Sequence, residues 1–260
     1  VKGPSGVLAL VLAESAAGGT AILFLTPLWN EVRRGFFYLT GGIVIALALS
    51  AAASAGSGSG FADPDPGRIA TTLSLVLAGA TFLALGLMAF RMALVGRVIG
   101  VASVPLAVGV LVALAYAIDE SIALSLFQLL AGAAFMGAVL DGLLLGHWYL
   151  TDRKLTRGPI NRMTWILIGA VIVEAAAVLA GLGSEGSPTS ASVSPLLTVS
   201  GNATWIAFGM VACTGLIAAF IKATLRGTRP QAVQSATGFF YLALITAFTA
   251  ELAGKVRFLQ

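Results

Sequence analysis

Residues 98 to 150, VIGVASVPLAVGVLVALAYAIDESIALSLFQLLAGAAFMGAVLDGLLLGHWYL, decide the fold. Two apolar runs, 98 to 118 and 121 to 149, follow one another with little more than Asp119 and Glu120 between them, so a tight polar turn is expected there. A run of about 20 residues, wound as a helix rising 1.5 Å per residue, crosses the roughly 30 Å of hydrocarbon in a bilayer. A strand of a membrane barrel needs only about ten residues and alternates apolar with polar. These runs are continuous, so the expectation is helix.

Working outward, six more runs of spanning length appear at 6 to 28, 35 to 55, 69 to 90, 163 to 183, 203 to 221 and 236 to 256. The 260 residues are 58% hydrophobic and 10% charged, with mean hydropathy +0.97. Soluble domains carry about 25% charged residues, which excludes a water-soluble fold. The expected class is an all-α integral membrane protein, a single transmembrane domain over residues 1 to 260 built as a bundle of about eight transmembrane helices. The first run continues past signal-peptide length with no polar cleavage region behind it, so it is expected to stay as a span.

The loops alternate in charge, which tests the span count independently of hydropathy. One set holds Arg33 and Arg34; Arg91 and Arg97; Arg153, Lys154, Arg157 and Arg162; then Lys222, Arg226 and Arg229, eleven of the fifteen basic residues. The other set is acidic or neutral and rich in Gly, Ser and Pro: Asp63, Asp65 and Arg68, then Asp119 and Glu120, then Glu185. The positive-inside rule makes the first set cytoplasmic and puts both termini on the non-cytoplasmic side. Lys2, Lys255 and Arg257 are exceptions at the chain ends. The net charge of +4 is thereby explained by orientation, not by nucleic acid. The expected location is the cell inner (cytoplasmic) membrane, with the lipid bilayer and other membrane-protein subunits as partners.

Small residues four apart on the fifth run, Ala134, Ala138, Gly142 and Gly146, mark a seam for close backbone approach and make this helix central. Pro105 removes a backbone donor inside the fourth run and should kink it. The pentapeptide GFFYL occurs at Gly35 to Leu39 and again at Gly238 to Leu242, a sign either of a duplicated parallel hairpin or of an interfacial aromatic belt. Cys213, the one cysteine, reads as a small packing residue.

Four acids fall inside the runs: Glu14, Asp141, Glu174 and Glu251. An unpaired acid in hydrocarbon costs roughly 2.5 kcal/mol or more, so such residues face the bundle interior and are candidates for proton transfer or for tying helices together. Counting along the runs places Asp141 and Glu174 at inner to middle depth and Glu14 and Glu251 in the outer half, a staggered series. The segment DGLLLGHWYLTDRK carries the one histidine, His147, beside Trp148 and Tyr149. A titratable imidazole flanked by flat aromatic surfaces is the chemistry that holds a quinone headgroup. On a helix, however, His147 is turned by roughly 120° from Asp141, so the two need not act together.

One histidine cannot build a bis-histidine haem, and no Cys or His cluster suggests a metal, so no metal site is expected. Asp63 and Asp65 in DPDP read as a turn and not as a metal pair. No Gly-rich nucleotide loop and no GxSxG nucleophile is present. The leading expectation is a multi-pass membrane subunit of an energy-converting or electron-transfer complex, without a covalently bound cofactor, with a possible quinone contact at His147, Trp148 and Tyr149 and protonatable acids behind it. A proton-coupled small-molecule transporter and a structural scaffold or anchor subunit are the alternatives.

Overall fold

The structure, a computed structural model, describes residues 1–29, 31–57, 60–61, 63–118, 121–152, 155–183, 202–227, 231–256 and 258. The expected turn at Asp119 and Glu120, and Arg153, Lys154, Glu185, Arg229 and Arg257, lie outside them.

Among the described residues, eight helices are long and apolar enough to cross a membrane. They are α1 (Gly3–Leu25), α2 (Arg34–Gly56), α3 (Pro64–Ala89), α4 (Ala93–Ala115), α5 (Ile122–Thr151), α6 (Gly158–Ala180), α7 (Asn202–Leu225) and α8 (Gln231–Val256). Among the described residues there is no strand. All eight expected runs are helical, but α3, α4, α6 and α8 begin about five residues before the apolar run does. Hydropathy marks where a chain can meet hydrocarbon, whereas helical hydrogen bonding continues into flanking polar residues until a cap stops it. Asp63 is such a cap: its carboxylate accepts the Asp65 backbone N–H at 3.0 Å and Pro64 occupies the first turn. DPDP therefore opens a helix, and the turn expected there is corrected.

Packing order divides the helices into two rings. In the first, α1 and α3 each pack on both α2 and α4; in the second, α5 and α7 each pack on both α6 and α8. The rings meet chiefly along α1 and α5. These two helices are also the most enclosed, with 83% and 61% of their most apolar window buried against 39 to 44% for the other six. Where they cross, Gly18 and Gly137 bring backbone against backbone: a Cβ on Gly18 would run into the Ala133 carbonyl, and one on Gly137 would run into the Gly18 backbone. Small residues permit that approach, and close van der Waals packing holds the helices where lipid and protein are equally apolar. Buried hydroxyls are satisfied locally, as in Ser15 donating to the Val11 carbonyl and Thr20 to that of Ala16, at 2.8 and 2.7 Å.

The α5 stripe divides its work. Gly142 lies against the Phe240 ring and Gly146 against Thr237, both on α8, Ala138 is buried, and Ala134 is exposed. The approach to α1 is made by Gly137, one residue off the expected row. The GFFYL copies lie on α2 and α8, the second helix of the first ring and the last helix of the second, each packed on the central helix of its ring. Phe36, Phe37 and Phe240 are buried core residues, which a belt does not require, while Tyr38 and Tyr241 are exposed. Cys213 is exposed on α7, contrary to the packing role expected for it. α4 continues as one helix across Pro105.

An even number of helices returns both termini to one end. There Val1, Phe61, Ile118 and Phe258 join one apolar cluster, and the Lys2 N–H donates to the Gly60 carbonyl at 2.7 Å. The opposite end carries the arginine-rich connections.

Candidate functional site: a buried ion cluster between the rings

Glu251 and Lys255 are one turn apart on α8, the spacing that lets an acid and a base share a helix face. Lys255 Nζ is 3.1 Å from Glu251 Oε2 and 2.7 Å from Glu14 Oε1 on α1. Glu14 is 0%, Glu251 2% and Lys255 4% exposed. The lysine thus bridges the two rings through charge, close to where α1 and α5 cross.

Gly132 of α5 makes the space. A Cβ there would lie 2.6 Å from Glu14 Oε1 and 2.9 Å from Glu251 Oε2, so any side chain at this position would displace both carboxylates. Glu174 of α6 and Gln128 of α5 complete the surroundings, each 5% exposed. The Gln128 side chain donates to the Ala177 carbonyl at 3.3 Å and fixes α5 against α6. Gln128, Glu174, Thr204, Glu251 and Lys255 border a cavity of about 20 Å³, which Phe258 also lines. That is room for about one water. Two carboxyls share one ammonium, and Glu14 Oε2 and Glu251 Oε1 accept no hydrogen bond among the described residues. Pairing offsets the cost of taking these charges out of water, and whatever is left unpaired keeps that cost.

Glu174 therefore groups with Glu14 and Glu251, not with Asp141 as expected. The reason is that α6 runs Gly158–Ala180, starting five residues and stopping three residues before the apolar run does, which leaves residue 174 seventh from the helix end. Asp141 is alone. It is 0% exposed, faces Gly19 of α1, and neither of its oxygens has a hydrogen-bond partner among the described residues. Nine residues of α5 separate it from Gly132, about 13 Å along the axis. No continuous relay through all four acids is formed by side-chain contact.

His147, Trp148 and Tyr149 do not converge. His147 is exposed, the Trp148 ring packs over Gly35, and the buried Tyr149 donates its hydroxyl to the Thr156 carbonyl. Successive residues on a helix are turned by about 100°, so neighbours in sequence face three ways. Nearby, polar residues tie the rings together at the arginine-bearing end. Glu31 accepts from Thr156 and, at 2.9 Å, pairs with Arg162, whose guanidinium lies 5.9 Å from the Trp29 ring centre. Arg33 pairs with Asp152 at 3.1 Å. Among the described residues no group of three or more His, Cys, Asp or Glu side chains is placed to hold a metal ion.

The fold and the cluster define a multi-pass helical protein of the membrane type with ionisable side chains sealed between two four-helix rings. Comparison with models of protein families, with curated proteins and with solved structures finds no match.

Sequence reasoning missed Lys255, reading it as a charge at the chain end. The signal was available: a lysine four residues after an intramembrane acid lies on the same helix face and within reach of it. Gln128 and Gly132 carried no comparable mark.

Proposed function

We propose that this chain is a multi-pass, proton-handling membrane subunit of an energy-converting or electron-transfer assembly, and that Glu14, Lys255 and Glu251 are its proton-exchanging centre. The observation that carries the reading is the buried lysine held between an acid of one ring and an acid of the other. A proton gained or lost by any of the three changes the charge balance across the seam, and so changes how strongly the rings hold together. The arginine-rich connections support a cytoplasmic position for the end away from the termini. The divergent placement of His147, Trp148 and Tyr149 gives no support to a quinone contact among them, so the reading rests on the cluster alone.

Infrared difference spectroscopy of the reconstituted protein, between acid and alkaline buffers, tests this. A carboxylic C=O band should respond to pH and disappear in Glu14→Gln or Glu251→Gln while persisting in Glu31→Gln, which lies outside the cluster. Difference spectra identical in the wild type and both amide variants would overturn the proposal. They would favour a second reading, that the ion pairs staple α1 to α8, which their geometry also supports.

A further inference from the structure

The cavity beside Lys255 lies on the axis of the second ring, and its lining comes from all four helices of that ring at one end. Gln128 is in the second turn of α5, Thr204 in the first turn of α7, Glu174 six residues from the end of α6, and Lys255 in the last turn of α8. All are therefore within about 10 Å of the termini-bearing end. On the other side of the cluster, Leu167, Ala170, Val211, Ala243 and Ala247 are buried in apolar contact, and the hydroxyls of Thr214 and Thr246 beside them are engaged with each other at 2.7 Å and with their own helix carbonyls. Water has a polar approach from one end and an apolar barrier toward the other.

We infer that this cavity is a one-sided aqueous entrance through which small cations and protons reach the cluster from the termini-bearing face, with Glu174 and Glu251 the acids that border it. The cavity is about the size of one water and offers more than the two to four polar partners a buried water requires. Glu174, Glu251 and Lys255 border it, whereas Glu14 does not, so a proton from this side reaches Glu14 by way of Lys255, which gives a proton to Glu14 and is reprotonated from the cavity side. The acids outnumber the lysine, and an excess of negative charge between low-dielectric walls draws cations in preference to anions. Phe258, 5% exposed, is its one aromatic lining residue among the described residues. The inference rests on the proton-handling reading for its purpose and on the cavity for its geometry.

Silver ion, a monovalent cation small enough to travel with water and reactive toward thiols, is the probe. In the full chain carrying Cys213→Ser, a thiol is placed at the cavity by Gly254→Cys, where an added Cβ has room because the nearest atom is the Ala207 Cβ at 3.7 Å. Thr204→Cys is the second cavity variant, and Ala243→Cys tests the apolar side. Sealed vesicles of either orientation are exposed to silver, quenched, denatured and alkylated, and remaining thiols are counted by mass spectrometry. The cavity thiols should be blocked from the termini-bearing face only. Glu174→Gln should slow this about tenfold, the lower end of electrostatic focusing in a charged cleft, and Phe258→Ala should speed it, while Ala243→Cys stays free from both faces. Blocking from the opposite face, equal protection of all three thiols, or an unchanged rate in Glu174→Gln overturns the inference. Silver reports access whether or not the acids titrate, and the infrared band reports titration whatever the route, so the two proposals fail separately.

Discussion

Two kinds of buried acid lie against the central helices α1 and α5, and the chain treats them differently. Glu14 and Glu251 are met by an ammonium within 3.1 Å. Asp141, equally buried, meets no hydrogen-bonding group among the described residues. The paired acids stand where the two rings are held together, with Gly132 left bare to admit them. The lone acid stands deeper along α5, where it faces Gly19 of α1. Burial alone therefore does not distinguish an acid that ties helices from one that does not. What distinguishes them is the cation, and removing partners one at a time measures that difference.

Lys255→Met should show the largest effect. It leaves two buried carboxyls without their cation, and breaking a buried pair from one side costs about 3 to 5 kcal/mol, read by reversible denaturation in mixed micelles. Asp141→Asn should cost less than about 1 kcal/mol, since no pairing is lost. Similar losses in the two variants would erase the distinction. A double-mutant cycle sharpens it: Glu14→Gln with Lys255→Met should show a coupling of roughly 1 to 3 kcal/mol, whereas Asp141→Asn with Lys255→Met should be additive within about 0.5 kcal/mol.

Gly132→Ala should cost roughly 1 to 3 kcal/mol by crowding both glutamates and should shift the carboxylic infrared band. Gly19→Ala beside Asp141 should cost less, because its added Cβ would be 3.9 Å from Asp141 Oδ1 and would crowd only the end of the Val44 side chain. A larger loss at Gly19 than at Gly132 would mean that the Asp141 surroundings are the tighter of the two. His147→Ala should show the smallest effect, within about 0.5 kcal/mol, because the side chain is exposed and lies at neither site.

The helical class and the eight spans were legible because each apolar run has to satisfy its own backbone wherever water is absent, a constraint that acts within one segment. The acids were legible as unusual for the same local reason. Their grouping was not. Glu174 moved from one group to the other because helix caps, and not the edges of apolar runs, set where residue 174 falls along α6. Lys255 looked peripheral because distance from the chain end says nothing of what α1 brings against it. His147, Trp148 and Tyr149 looked like a site because they adjoin in sequence, yet helical rotation sends them apart.

By itself, then, the sequence determined what each segment must be: eight apolar helices, an alternation of basic and acidic connections, and four acids placed where an unpaired charge is costly. Only the tertiary structure decided which segments touch, with α1 and α5 crossing at Gly18 and Gly137 and Lys255 placed between Glu14 and Glu251. The physical reason is one of range. Helix formation and span length are fixed by interactions within a few residues along the chain. An ion pair between residues 14 and 255 exists only once two rings of helices have packed, and their packing depends on glycines whose missing side chains carry no signal until a neighbouring backbone fills the space.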